Sequence, residues 1–279
     1  VKTRRIGAIA AGAALALTLA ACGSDSGGGS GSGGGDSKGL KIGIKFDQPG
    51  MGLKKGSDFT GMDVDVAKYV AKKLGTDEGN ITWVQAPSAQ RETLISTGQV
   101  DMIVATYSIT DTRKEKVSFA GPYFIAGQDL LVRADDSSIT GPDSLKGKKL
   151  CSVTGSTSAQ NVLKKVPGVN LQEFGTYSEC VAALASGSID ALTTDDTILA
   201  GYAAQEQYKG KLKVVGKPFS TENYGIGLKK GDTALCGKIT DAIKSMISDG
   251  SWQKAVDSNL GPAGYKPGEG NPPTPAACS

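Results

Sequence analysis

Gly61-Met62-Asp63-Val64-Asp65-Val66-Ala67, running on through Val70, Ala71 and Leu74, is the stretch that decides the architecture. Over 63–74 the apolar Val66, Val70, Ala71 and Leu74 share one helical face, while Asp65, Lys68, Lys72 and Lys73 point elsewhere. A helix that lies on a sheet is patterned this way. A short strand over 41–45 precedes it, and a strand over 81–84, a helix over 88–97 and a strand over 100–105 follow. Strand and helix alternate, so the class is α/β.

Further along, a Thr/Ser-rich loop leads to Arg113 and 129–133 reads as another strand, before Gly141-Pro142-Asp143 breaks the pattern. A second series then opens: strand 149–153, helix 157–165, strand 171–174, helix 177–186, strand 189–193, helix 196–204, strand 212–215. Pro218 and a strand over 223–229 lead into closing helices over 233–248 and 251–260, and the Pro-rich tail from Gly261 should be irregular. Two series of similar order point to two lobes rather than one sheet.

Composition narrows the chemistry. The chain has 279 residues and no His, which removes Ser-His-Asp and Cys-His nucleophiles, His-ligated metals and imidazole acid-base work. It has no GxxxxGK[ST] loop, no GxGxxG after a strand and no GxSxG elbow. Neither a cofactor nor a metal is expected. Of the 31 Lys and Arg, three (Lys2, Arg4, Arg5) lie at the N-terminus, and the remainder balance the 28 Asp and Glu. Nucleic acid is therefore not an expected partner.

Those three basic residues precede an uncharged run over 6–21, a secretory signal pattern too short for a comfortable membrane span. Leu19-Ala20-Ala21-Cys22 resembles the lipobox of bacterial lipoproteins, which implies a lipidated Cys22. The Gly/Ser-rich segment after it would tether the folded part to the outer face of the cell membrane. Secretion implies an oxidising compartment, so Cys151, Cys180, Cys236 and Cys278 read as two disulfides, with three possible connectivities.

The stretch from Gly61 to Ala67 resembles the signature of family 3 bacterial solute-binding proteins, receptors for polar amino acids in ABC importers. Met62 stands where an aromatic is more usual. The resemblance is reinforced by Thr106-Tyr107-Ser108-Ile109-Thr110-Asp111-Thr112-Arg113, Phe119-Ala120-Gly121-Pro122-Tyr123, Gly155-Ser156-Thr157-Ser158, Thr194-Asp195 and Gly225-Ile226-Gly227-Leu228, in the family's order. With the lipobox and Gly/Ser tether, it is strongest to glutamate-binding lipoproteins of actinobacteria. It implies the periplasmic-binding-protein-like type II fold: two α/β lobes joined by two crossing hinge strands, near 127–133 and 219–225. The division would be a signal peptide over 1–21, a tether over 22–38, lobe 1 over 39–125 plus 222–279, and lobe 2 over 126–221.

The resemblance also implies residue roles. Arg113 would grip the α-carboxylate of an amino acid through its two-pronged guanidinium, helped by Thr157 at a helix start across the cleft. Asp195 would receive the α-ammonium, with its neighbour Asp196 a helix cap, and Thr106 and Ser108 would add hydrogen bonds. Lys45, at the carboxyl end of the first strand, and Arg91, three residues after Ser88, would meet the ligand's side chain and favour an acidic one. Lys54 and Lys55 are weaker candidates for that role. The implied function is a monomeric, lipid-anchored receptor that delivers L-glutamate or a similar amino acid to an ABC permease and its ATPase. Glutamine or aspartate as ligand, or a dehydratase-type enzyme on the same fold, are the alternatives. Because the lobes must move, the disulfides are expected within lobes: Cys151 with Cys180 and Cys236 with Cys278.

Overall fold

The structure, a computed structural model, describes residues 39–279; the signal pattern, Cys22 and the tether lie outside the described residues. Along the chain run β1 (Leu40–Ile44), β2 (Asp47–Gln48), β3 (Gly52–Lys55), β4 (Asp58–Thr60), α1 (Met62–Lys73), β5 (Ile81–Gln85), α2 (Arg91–Ser96), β6 (Met102–Ile103), α3 (Asp111–Lys114), β7 (Val117–Ala126) and β8 (Gln128–Arg133). Then come β9 (Lys149–Val153), α4 (Thr157–Lys165), β10 (Asn170–Phe174), α5 (Tyr177–Ala185), β11 (Ala191–Asp195), α6 (Asp196–Ala203), β12 (Leu212–Val214), β13 (Glu222–Lys229), α7 (Thr233–Ser248) and α8 (Ser251–Asn259).

Two five-stranded mixed sheets form two lobes, with strand orders β5-β1-β6-β13-β7 and β10-β9-β11-β8-β12. In the first, β1 runs parallel to β5 and β6, and β13 runs antiparallel to β6 and β7. In the second, β9 is parallel to β10 and β11, while β8 is antiparallel to β11 and β12. Polar residues follow strands that lead into helices in each sheet, Ser88 after β5 and Thr106 and Ser108 after β6 in the first, Ser156 and Thr157 after β9 in the second, which is where open α/β sheets present their ligand sites. A small antiparallel sheet, β2-β3-β4, rises from the first lobe between β1 and α1.

The apolar face read over 63–74 is buried as α1: Val66, Ala67, Val70 and Ala71 are fully covered, and the helix packs on β1, α7 and α8. Leu94, Ile95, Ile103, Tyr107 and Phe119 cover the other face of the first sheet. Leu130, Val132, Leu150, Val162 and Ala191 form the matching cluster in the second. Both sheets are thus sealed on two faces, as parallel strands require.

The chain leaves the first sheet at the end of β7 and enters the second at β8, with Gly127 between them. The crossing expected over 127–133 is therefore shorter, because β8 is already paired with β11 and β12 inside the second sheet. The return runs from β12 into β13, whose Glu222, Asn223 and Tyr224 pair with Ala126, Ile125 and Phe124. Strand β7 has no counterpart among the expected strands, since Gly121-Pro122 interrupts its pattern. Hydrogen bonding holds it across that interruption to β13.

Where the lobes meet, the approach is close. Gly201 on α6 lies against the Pro49 carbonyl of the first lobe so tightly that a Cβ there would stand 2.0 Å from that oxygen. The tail from Gly261 is mostly irregular, but it is fastened. Ala276 bridges to Gly121, the Phe119 N–H donates to the Ser279 carbonyl at 2.8 Å, and the Asn271 amide both accepts from and donates to the backbone of Ile125. The tail so covers the outer edge of β7. Disulfides join Cys151 to Cys180 within the second lobe, at a Cα separation of 5.7 Å, and Cys236 on α7 to Cys278 in the tail, at 6.0 Å.

Candidate functional site

The first lobe builds its wall from four short segments at strand ends. Lys45 follows β1, Ser88 opens a 3-10 turn into α2, Arg91 is the first residue of α2, and Thr106 to Ser108 follow β6. Arg113 sits on α3, whose start is fixed by Thr110: its hydroxyl accepts from the Arg113 N–H. Lys45, Ser88, Arg91, Thr106, Tyr107, Ser108 and Arg113 are all buried. The second lobe answers with the turn before α4, the first residue of α5, Tyr177, and the end of β11 at Thr194 and Asp195.

Arg113 is held from three sides. Its Nη1 donates to the Ser108 carbonyl at 2.8 Å, its Nη2 to the Gly155 carbonyl of the other lobe at 3.3 Å, and its Nε lies 3.4 Å from Glu92 Oε1. One N–H on each terminal nitrogen is left for a carboxylate, the two-pronged arrangement a guanidinium favours. Its carbon lies 4.9 Å from the centre of the Tyr107 ring, and that of Arg91 lies 5.1 Å from it. The Tyr107 hydroxyl donates to Glu92 at 2.9 Å. Tyr107 can lie there only because β13 carries Gly227, where a Cβ would come within 2.6 Å of the ring. Gly225 is confined separately, since a Cβ there would come within 2.7 Å of Ile109.

Thr157 and Ser108 face each other across the lobes, hydroxyl to hydroxyl at 3.3 Å. The capping of α4 falls to Ser156, which accepts from the Ala159 N–H, so Thr157 is not the cap. Thr106 has φ +44°, a left-handed conformation that costs a β-branched residue about 1–3 kcal/mol. Its N–H donates to Asp63 Oδ2 at 2.9 Å and its hydroxyl to the Ala105 carbonyl at 2.7 Å. Asp63 also accepts from the Tyr123 hydroxyl at 2.6 Å, and burial pushes its carboxyl up to about 6. The signature aspartate at the head of α1 thereby anchors the strained residue of the wall.

Asp195 is fully enclosed. It accepts from the Tyr224 hydroxyl at 2.7 Å and from Ser158 at 3.3 Å. Burial, then the nearby Glu222 carboxylate, push it up to about 8. A carboxyl this costly to ionise stays mostly protonated at neutral pH unless a cation lies against it. Asp196 does not cap α6 in the expected sense. As first residue of the helix, its Oδ1 accepts from the Gly127 and Thr197 N–H groups and the Tyr265 hydroxyl, which ties the hinge to the tail.

At the far end, Lys45 lies 3.5 Å from Asp47 Oδ1 and 5.6 Å from the Tyr177 ring. Burial lowers its ammonium, partly offset by Asp47. Arg91 is lowered by burial and then by the charge of Arg113; its Nε donates to the Ala86 carbonyl at 3.4 Å. Lys54 and Lys55 are exposed on β3, and Lys54 lies over Phe46 and Phe59 instead. Tyr177, Asp47 and Glu92 were not singled out in the sequence. Only Tyr177 had a local signal, since Thr176-Tyr177-Ser178-Glu179 is a capping box. A separate groove of about 1200 Å³, bordered by Gly61, Asp196, Gly201 and Tyr265, takes in Lys55 but none of the buried wall residues Lys45, Ser88, Arg91, Thr106, Ser108, Arg113, Thr157 and Asp195.

Among the described residues no helix is long and apolar enough to cross a membrane. Residues 40–262 match the bacterial extracellular solute-binding proteins, family 3. The glutamate-binding protein GluB of Corynebacterium glutamicum is 49% identical over 96% of this chain and 94% of its own length. The ABC transporter glutamine-binding protein GlnH of Bacillus subtilis is 41% identical, over 78% of this chain and 80% of its own. An ancestral arginine-binding protein bound to glutamine superposes with a TM-score of 0.75 at 35% identity, covering 80% of this chain and 98% of that one. On the match over 40–262 and these relatives, the chain belongs to family 3 of the bacterial extracellular solute-binding proteins and is a binding protein, not an enzyme.

Proposed function

We propose that this protein captures L-glutamate between its lobes and hands it to the permease and ATPase of an ABC importer. The observation that carries the reading is the layout of charge. Arg113 stands on one wall with two N–H groups to offer, Asp195 on the other demands a cation, and Lys45 and Arg91 lie at the far end. An α-carboxylate, an α-ammonium and a side-chain carboxylate satisfy these groups in turn. GluB, at 49% identity, supports glutamate by its name.

Lobe 1 comprises 39–125 plus 222–279 and lobe 2 comprises 126–221, the protein acts as a monomer, and Cys22 carries the lipid that holds it at the membrane. Ligand contacts come from Lys45, Ser88, Arg91, Thr106, Ser108, Arg113, Thr157 and Asp195. A second reading, glutamine, is favoured by the Asp47 carboxylate beside Lys45, which already balances one of the distal charges. Calorimetric titration of the purified protein with L-glutamate, L-glutamine, L-aspartate and L-lysine decides between them: glutamate should bind tightest, and lysine binding equally well would overturn the reading.

A further inference from the structure

Helix α5 begins with a complete capping box of its own. The Thr176 hydroxyl accepts from the Glu179 N–H at 3.3 Å, and the Glu179 carboxylate accepts from the Thr176 N–H at 2.9 Å. A helix start leaves further N–H groups without intrahelical partners. Here the next two, those of Tyr177 and Ser178, both donate to Asp47 Oδ2, at 3.0 and 3.4 Å. Asp47 is on β2, in the small sheet of the first lobe, about 130 residues earlier in the chain. The Tyr202 hydroxyl of α6 donates to the Asp47 carbonyl as well. Two helices of the second lobe therefore converge on one residue of the first.

The other oxygen of Asp47 faces Lys45 Nζ at 3.5 Å, so the carboxylate is aimed by a fixed cation on its own lobe. Asp47 is mostly buried, with 14% side-chain exposure. A carboxylate at a helix start is favoured both by the free N–H groups and by the helix dipole. These contacts exist only while the lobes are together, and the capping box keeps the helix start intact when they part.

We propose that Asp47 is a positioning residue that latches the second lobe onto the first, its carboxylate, steadied by Lys45, taking the two N–H groups that the cap of α5 leaves free. The latch rests on the reading of the protein as one that closes over its ligand. It acts through α5 and Lys45 rather than by touching the ligand. Because it adds to the closed state alone, it slows release more than it speeds capture.

The test compares wild type with Asp47→Ala and Asp47→Asn, each first checked for cooperative melting. Hydrogen exchange at the Tyr177 and Ser178 amides is followed with and without saturating L-glutamate, and glutamate association and dissociation are timed by stopped flow. In Asp47→Ala the two amides should lose the protection they have in wild type. Glutamate dissociation should quicken about tenfold, with association changed less than about twofold. Asp47→Asn, which keeps one acceptor oxygen, should fall between the two, and it carries the test if Asp47→Ala does not fold. Amides equally protected, or equally unprotected, in wild type and variants overturn the latch, as does an unchanged dissociation rate. If wild type binds no glutamate, the functional reading fails, while the amide comparison still decides for or against the latch.

Discussion

The hydroxyls of Ser108, after β6, and Thr157, at the head of α4, lie 3.3 Å apart although they belong to different sheets. With Arg113 reaching the Gly155 carbonyl beside them, they close the space between the lobes over the buried charges. Ligand entry therefore requires these contacts to open, by a hinge at Gly127 and the return into β13.

Gly201→Ala should hold the lobes apart. The added Cβ would meet the Pro49 carbonyl at 2.0 Å, and Ala is the better helix former, so the helix itself gains. Glutamate affinity should fall about tenfold or more, with the melting temperature of the unliganded protein unchanged or higher. Calorimetry and a thermal melt read the two quantities; unchanged affinity would show that the lobes close without this approach.

Arg113→Ala should lose binding of every amino acid. Removing one partner of a buried, hydrogen-bonded charge pair costs about 2–5 kcal/mol, enough to put glutamate outside the measurable range. Lys45→Ala should retain binding but reduce the preference for glutamate over glutamine by roughly tenfold. A titration of both ligands against both variants checks this, and an Arg113→Ala protein with wild-type affinity would remove the residue from the site.

Asp195 gives a pH signature. Its carboxyl, pushed up to about 8, is mostly protonated at pH 7, whereas an ammonium partner needs it ionised. Glutamate binding at pH 7 should release nearly one proton, and affinity should rise from pH 6 to 8 and then level. Titrations in buffers of different ionisation enthalpy measure the proton count, which Asp195→Asn should abolish. For folding the sign is opposite. Asp195, together with Asp63 and Asp196 pushed up to about 6, binds protons more tightly folded than unfolded. The stability this contributes is full below about pH 4 and is lost as pH rises through 6 to 8. The unliganded protein should therefore melt higher at pH 5 than at pH 8.

Replacing both Cys151 and Cys180 with Ser should lower stability by about 3–4 kcal/mol in the chain-entropy account of a loop of this length. The bridge spans 29 residues within one lobe, so hinge motion and glutamate affinity should survive. Thermal melts and titration separate the two effects. Peptide mapping without reduction gives the pairing directly.

Much of the fold was legible because its periodicity is strong. Strand β9 and helices α4 and α7 run over the residues that the pattern assigns, and the apolar face of α1 is the buried one. Elements held by distant partners were not. Strand β7 is broken by Gly121-Pro122 and is stabilised from β13 about a hundred residues later, and β2 and β3 pair over only a few residues. The expected strand over 100–105 shrinks to Met102–Ile103, since only these find partners on β1 and β13. In the site, Arg113 and Asp195 lie in recognisable runs. Asp47 and Glu92 do not, since their significance comes from contacts across the lobes or with Tyr107 that no local pattern encodes.

The fastened tail has a consequence for how the protein behaves in company. Strand β7 is the last in its sheet, ten residues long and apolar, and its outer edge is met by Ala276 and Ser279. An uncovered edge of that kind is a template for another chain. The Cys236–Cys278 bond holds the covering segment against that edge, and reduction should loosen the cover and let copies of the protein associate through β7 below the melting temperature, which light scattering would read.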